Sequence, residues 1–184
     1  MARTPTKQIP LGFKAPAFNL INVVNGQSES LKDVQKENGL VVMFICNHCP
    51  FVVHVIDEIV NMANEYMQKG IGFVAISSND IINYPDDSPE KMKALAIEKA
   101  FPFSYLYDES QEIAKAYDAA CTPDFSVFDS NMNCVYRGQM DSSRPGNDHP
   151  VNGEDMRKVL DYVLHSKEID FEQIPSIGCN IKWK

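Results

Sequence analysis

Six apolar residues, Leu40-Val41-Val42-Met43-Phe44-Ile45, run straight into Cys46-Asn47-His48-Cys49-Pro50, and a helical pattern begins immediately afterwards. An apolar run of that length, introduced by Gly39, reads as a buried strand. Beyond Phe51, apolar residues fall at 52, 55, 56, 59, 60, 63, 66 and 67, a wide stripe along one helix face that stops at Gly70. Ile71 to Ser77 is a second apolar strand. Strand, helix and strand in that order require a layered α/β arrangement, because each element must bury an apolar face. The crossover should be right-handed, and functional groups should gather where the strands end at their carboxyl side. That is where two cysteines, two residues apart, are placed.

The remaining pattern fills out one sheet and its helices. Ala15 to Ile21 followed by Asn25-Gly26 predicts a strand entering a tight hairpin turn, and residues 31–38 a short helical turn. Ser88-Pro89-Glu90 is an N-cap with proline at the first helical position, opening a helix to about Ala100. Residues 103–107 predict a strand and 110–118 a short helix. Residues 125–128 and 134–137 predict an antiparallel pair across the turn 129–133, and 154–165 a closing amphipathic helix after a polar loop. The expectation is one domain over residues 1–184, with its core at about 15–166 and a tail at 167–184; a 44% hydrophobic content suits a single core.

Net charge −8 argues against a nucleic-acid partner. The start, Met1 to Gln8, lacks the apolar core of a signal peptide, and no apolar stretch approaches membrane-spanning length. These features predict a cytoplasmic protein with no membrane partner. In that compartment thiols stay reduced, so five cysteines (46, 49, 121, 134 and 179), an odd number, are not a structural disulfide framework.

The chemistry is read from the cysteine pair. A helix beginning near Asn47 would hold Cys46 at its positive end, where backbone N–H groups stabilise a thiolate, with Cys49 one turn along. Cys46 would attack a partner's disulfide, and Cys49 would then attack Cys46 and release the reduced partner. His48 between them would favour the thiolate as a cation and donate a hydrogen bond. A different class of reading is Cu(I) or Zn(II) carriage by Cys46, His48, Cys49 and His54, with His149 the one remote loop histidine. No second Cys-x-x-Cys completes a tetrahedral set, so the expectation is no metal and no cofactor.

The Cys46-Asn47-His48-Cys49-Pro50 segment, the Thr122-Pro123-Asp124-Phe125 loop and the opening Ala15-Pro16-Ala17-Phe18 resemble the thioredoxin superfamily, on its peroxiredoxin-like (AhpC/TSA-type) side. The match continues through Ser78-Asn79-Asp80, Tyr105 to Glu109, Tyr136-Arg137-Gly138 and Ser176 to Trp183, nearly the whole chain. The resemblance implies a thioredoxin-like α/β fold: a central mixed β-sheet flanked by helices, with an N-terminal β-hairpin extension and a C-terminal tail. It implies a redox-active cysteine at Cys46 and a cis Thr122-Pro123 bond that turns Thr122's backbone towards the cysteines, where an incoming peptide could pair with it. Cys121 would then lie near the pair, as a redox thiol or as buried filler. Cys179 reads either as a resolving thiol or as part of a tail packed through Ile177, Ile181 and Trp183. Cys134 reads as core.

Departures from the family pattern shape the functional expectation. A peroxiredoxin carries Thr or Ser three residues before its reactive cysteine and proline seven before; Met43 and Gly39 stand there, and no arginine adjoins Thr122-Pro123 in sequence. A peroxide O–O bond would lose most of its electrostatic activation. Thioredoxin's tryptophan before the first cysteine is Ile45, and its buried acid falls at Leu40, which leaves His48 or water as proton acceptor. The expected function is therefore a thiol–disulfide oxidoreductase, with a thiol-dependent peroxidase using Cys46 as the alternative. Its partners would be a protein or small-molecule disulfide and a cellular thiol reductant.

Overall fold

The computed structural model describes residues 3–184. In chain order the elements are β1 (Arg3–Pro5), β2 (Asn19–Asn22), β3 (Ser28–Ser30), α1 (Leu31–Val34), β4 (Gly39–Phe44) and α2 (Pro50–Met67). They continue with β5 (Ile71–Ser77), α3 (Pro89–Glu98), β6 (Ser104–Tyr107), α4 (Glu112–Ala116) and β7 (Cys121–Thr122). The chain closes with β8 (Asp124–Asp129), β9 (Cys134–Arg137), α5 (Glu154–Leu164) and β10 (Ile177–Asn180). Seven strands form one mixed sheet in the order β3-β2-β6-β5-β4-β8-β9. Strands β4, β5 and β6 run parallel, while β8, β9 and the hairpin β2–β3 pair antiparallel. The hairpin is present as expected, with its first strand at Asn19–Asn22 rather than from Ala15.

Period-2 alternation in β4 divides the core. Val41 and Met43 face α2 and α5, whose Ile59, Met62, Val159 and Leu160 are fully buried. Leu40, Val42 and Phe44 face the opposite layer with Val34, Ala114 and Tyr117. Burial on both faces explains why β4 reads as a continuous apolar run instead of an alternating one. Among the described residues no helix is long and apolar enough to cross a membrane.

Two sequence expectations are corrected here. Helix α2 begins at Pro50, not near Asn47, and Cys49 is its N-cap with extended dihedrals (φ −73°, ψ 121°). The residue before a proline is pushed out of the helical region, and proline itself fits the first helical position, where no N–H is needed. The tail, in turn, is a structural strand. Strand β10 is the centre of a second, three-stranded sheet, β1-β10-β7, with Cys179 opposite Thr122 and Asn180 opposite Cys121. Ile181 packs in the core as expected, but Trp183 stays exposed, with the Lys115 ammonium 5.8 Å from its ring centroid.

Gly178 makes this second sheet sterically demanding. A Cβ on it would stand 1.9 Å from the Thr122 carbonyl oxygen and 3.0 Å from the Pro123 nitrogen, both backbone atoms. Gly178→Ala is expected to destabilise the protein by about 1–3 kcal/mol, the usual cost of overpacking. A lower midpoint of urea unfolding with an unchanged slope checks this; an unchanged midpoint would mean that β10 can lift away without cost.

Candidate active site

Strand β4 carries the chain to the site. The Ile45 N–H still donates to Ile76 O (3.0 Å), and Cys46 follows at the point where pairing ends. Four residues then turn the backbone into α2, and the Cys49 carbonyl accepts from the N–H groups of Val52 and Val53, each at 2.9 Å. Both sulfurs meet the loop before β8, where the Thr122-Pro123 bond is cis, as the resemblance implies. Cys46 Sγ lies 3.3 Å from Thr122 Oγ1, and the Cys49 thiol donates to Thr122 O at 3.1 Å. The two cysteine side chains also hydrogen-bond each other. Neither is surface-exposed: Cys46 is 1% accessible and Cys49 0%.

The electrostatics of the two thiols diverge. Cys49, not Cys46, is the residue at the helix tip. Its pKa falls from 9.0 to about 4, first because the Cys46 side chain hydrogen-bonds to it, and further because the Cys179 thiol and the Val52 and Cys179 N–H groups do so. Cys46 is pushed well above the usual thiol range by its bond to Cys49, by burial and by the nearby Asp87 carboxylate. The pair therefore releases its first proton readily and holds its second, the remaining proton being shared between the two sulfurs. Sulfur thiolate absorbance is expected to persist well below neutral pH and to vanish with a midpoint near about 4. Loss of that low-pH signal in both Cys49→Ser and Cys46→Ser is the confirming pattern, since the Cys46 side chain is the first cause of the shift.

This shift has a stability consequence with a definite sign. Between the folded pKa of about 4 and the unfolded value of 9.0, the unfolded pair carries one proton more than the native pair, so its contribution to stability rises with pH. Above 9.0 the native Cys46 keeps a proton that the unfolded chain has lost, and the contribution declines.

A polar network missed by sequence reading surrounds Cys46. The turn Pro85–Asp87 delivers Asp87, fully buried, against the cysteine loop. Its Oδ1 accepts from the Asn47 N–H (2.7 Å) and its Oδ2 from the Asn79 side chain (2.8 Å). His48 Nδ1 lies 2.7 Å from Asp87 Oδ2, close enough for an ion pair but off the line of a hydrogen bond. The His48 ring stacks on Tyr84, centroids 5.8 Å apart and 7° from parallel. The buried Tyr105 hydroxyl donates to Asn47 Oδ1 (3.1 Å). Nothing local in Tyr84-Pro85-Asp86-Asp87 signals that its second aspartate points inward.

The other candidates separate cleanly. Cys179 is brought into the site; it is buried, and burial together with its bond to Cys49 raises its pKa to about 12. Cys121 is buried one residue before Thr122, its thiol donating to Pro123 O (3.5 Å) and facing Thr6, with its pKa raised chiefly by burial. Cys134 is core, as expected. The four side chains of the metal reading do not converge: His54 Nε2 is bonded to Ser143 Oγ (2.7 Å), and its place near Cys46 and His48 is taken by Asp87. Those three groups have atoms within 4.8 Å of one another, but both Asp87 oxygens already accept hydrogen bonds.

Arg144 holds the 141–153 loop through Asp141 O and Gln139 Oε1. Arg137 does not share that task. It is buried 3.6 Å from Asp124, with its donors committed to the carbonyls of Lys7, Tyr117 and Asp118.

Comparison with known proteins agrees with this architecture. Residues 10–155 match the family model described as Redoxin. An uncharacterized conserved protein from Geobacillus kaustophilus is similar at 56% identity, covering 100% of this chain and 97% of its own, with a TM-score of 0.98. The hypothetical protein SMc02350 from Sinorhizobium meliloti 1021 is similar at 42% identity over 98% of each chain, with a TM-score of 0.96. The thioredoxin domain of a thiol-disulfide oxidoreductase from Bacteroides vulgatus shares the fold at 18% identity and a TM-score of 0.63, covering 83% of this chain and 99% of its own. No curated protein matches.

Proposed function

Because the chain belongs to the Redoxin family, and so to the thioredoxin-like redox proteins, we propose that it is a thiol–disulfide oxidoreductase working through Cys46 and Cys49. The observation that carries this reading is the meeting of both sulfurs on Thr122, 3.3 Å from its hydroxyl and 3.1 Å from its carbonyl, beside Pro123. Cys46 lies towards the His48 side of the pair, whereas Cys49 is screened by Thr122 and Cys179. A partner disulfide, on a protein or a small molecule, therefore meets Cys46 first. Shifting the shared proton from Cys46 to Cys49 along their hydrogen bond moves the charge to the attacking sulfur. Cys46 then forms a mixed disulfide as the partner's other sulfur leaves, and Cys49, giving up its proton, attacks Cys46 and releases the second sulfur. A cellular thiol would return the pair to its reduced form.

His48 and Asp87 supply the polar side of this exchange in place of the acid that Leu40 cannot provide. Peroxide reduction is poorly served, since Met43 and Gly39 occupy the activating positions and Arg137 is spent on backbone carbonyls. The test is reduction of a protein disulfide by dithiothreitol at catalytic protein concentration, run beside consumption of hydrogen peroxide. Fast peroxide turnover without disulfide turnover would replace this reading with the peroxidase.

A further inference from the structure

The sheet edge that an incoming peptide would use is occupied. Thr122, the residue before the cis proline, pairs with Cys179 of the chain's own strand β10. That strand is fastened on both sides of the cysteine. Ser176 Oγ donates to Pro123 O (2.8 Å), the Ile181 N–H to Ala120 O (3.1 Å) and the Lys182 N–H to Asn79 Oδ1 (2.8 Å). The result is a cysteine held opposite Thr122, whose carbonyl lies 3.1 Å from Cys49 Sγ, and buried in one cluster with both Cys49 and Cys46. Cys49 thus has a thiol on either side within one buried cluster, Cys46 from the preceding loop and Cys179 from β10, and each perturbs its ionisation.

We propose that Cys179 is a third catalytic thiol, which takes the disulfide from the oxidised pair by exchange at Cys49. The proposal rests on the reading of Cys46 and Cys49 as the redox pair, oxidised by a partner disulfide. In the step, Cys179 Sγ attacks Cys49 Sγ, the Cys46–Cys49 bond breaks and the Cys49–Cys179 bond forms. Cys46 leaves as a thiolate and takes up the proton that Cys179 gives up. One disulfide is exchanged for another, so no further oxidant or reductant enters. The oxidising equivalent is stored beneath the strand, and Cys46 is returned to the thiol form at the partner-facing side.

The experiment uses the full chain, oxidised with oxidised glutathione, quenched in acid, alkylated with iodoacetamide and cut with trypsin. Cleavage after lysine puts Cys46 and Cys49 on residues 37–69 and Cys179 on residues 168–182. The expected products are peptide 37–69 with both cysteines protected, and a 37–69/168–182 cross-link through Cys49 with Cys46 alkylated. In Cys179→Ser the cross-link and the alkylation of Cys46 in oxidised protein are both lost. In Cys46→Ser the Cys49–Cys179 link is the disulfide that remains. A closed 46–49 bond with no cross-link in either the wild-type protein or Cys46→Ser overturns the proposal and leaves the proposed function standing. A cross-link located at Cys46 also overturns it, and absence of any disulfide at these residues overturns both. The wild-type map decides the matter even if Cys179→Ser fails to fold.

Discussion

Cys46→Ser is expected to lower catalysed disulfide reduction at least about a thousandfold, to the rate of the external dithiol alone, because the variant lacks the sulfur that bonds the partner. Cys49→Ser should fall as far by a different route. Its Cys46 can still attack, but release then depends on a dissolved thiol in place of one held at an effective concentration of order 10⁵ M or more. A covalent adduct on Cys46 should therefore accumulate in Cys49→Ser and be absent in Cys46→Ser, visible as added mass that a reductant removes. The scaffold tolerates either change, since serine is close to isosteric and can keep the hydrogen bonds to Thr122. Equal, partial losses in both variants with no adduct would assign the chemistry elsewhere.

Asp87→Ala carries the largest expected effect on stability. The carboxylate is buried, and its removal strands the Asn47 N–H and the Asn79 amide at once. Leaving buried donors without an acceptor costs about 1–3 kcal/mol per group, which should appear as a drop in the urea midpoint. Asp87→Asn separates electrostatics from packing. It keeps the volume but removes the negative charge that helps hold Cys46 protonated, so the pH profile of Cys46 alkylation should move to lower pH. An unmoved profile together with an unmoved midpoint would reduce Asp87 to a bystander.

The parts of this architecture legible in the sequence were those governed by short-range rules. Apolar runs gave β4 and β5, helical spacing and Gly70 gave α2, and Ser88-Pro89 gave the start of α3, where Ser88 caps the helix by accepting from Lys91 N–H. The cysteine pair was legible because its chemistry needs two sulfurs at a strand-to-helix junction, and the cis proline through resemblance. What escaped depends on contacts distant along the chain. Strands β1, β7 and β10 are two to four residues long, and each gains stability only from a partner across the fold, as in Arg3 opposite Cys179. Asp87 lies 40 residues from the Asn47 amide it accepts from, so no local pattern distinguishes it from the exposed Asp86 beside it. The helix start expected near Asn47 was misplaced for a local reason, the single-residue effect of Pro50 on where the helix begins.

Burial of all five thiols has a practical corollary. A bulky maleimide cannot approach a sulfur that is 2% accessible or less without some part of the fold breathing. Its labelling rate should report how often the backbone opens, and should climb steeply with dilute denaturant where opening exposes much surface. The cysteines would then serve as built-in clocks, timing the fluctuations through which any large partner must gain entry.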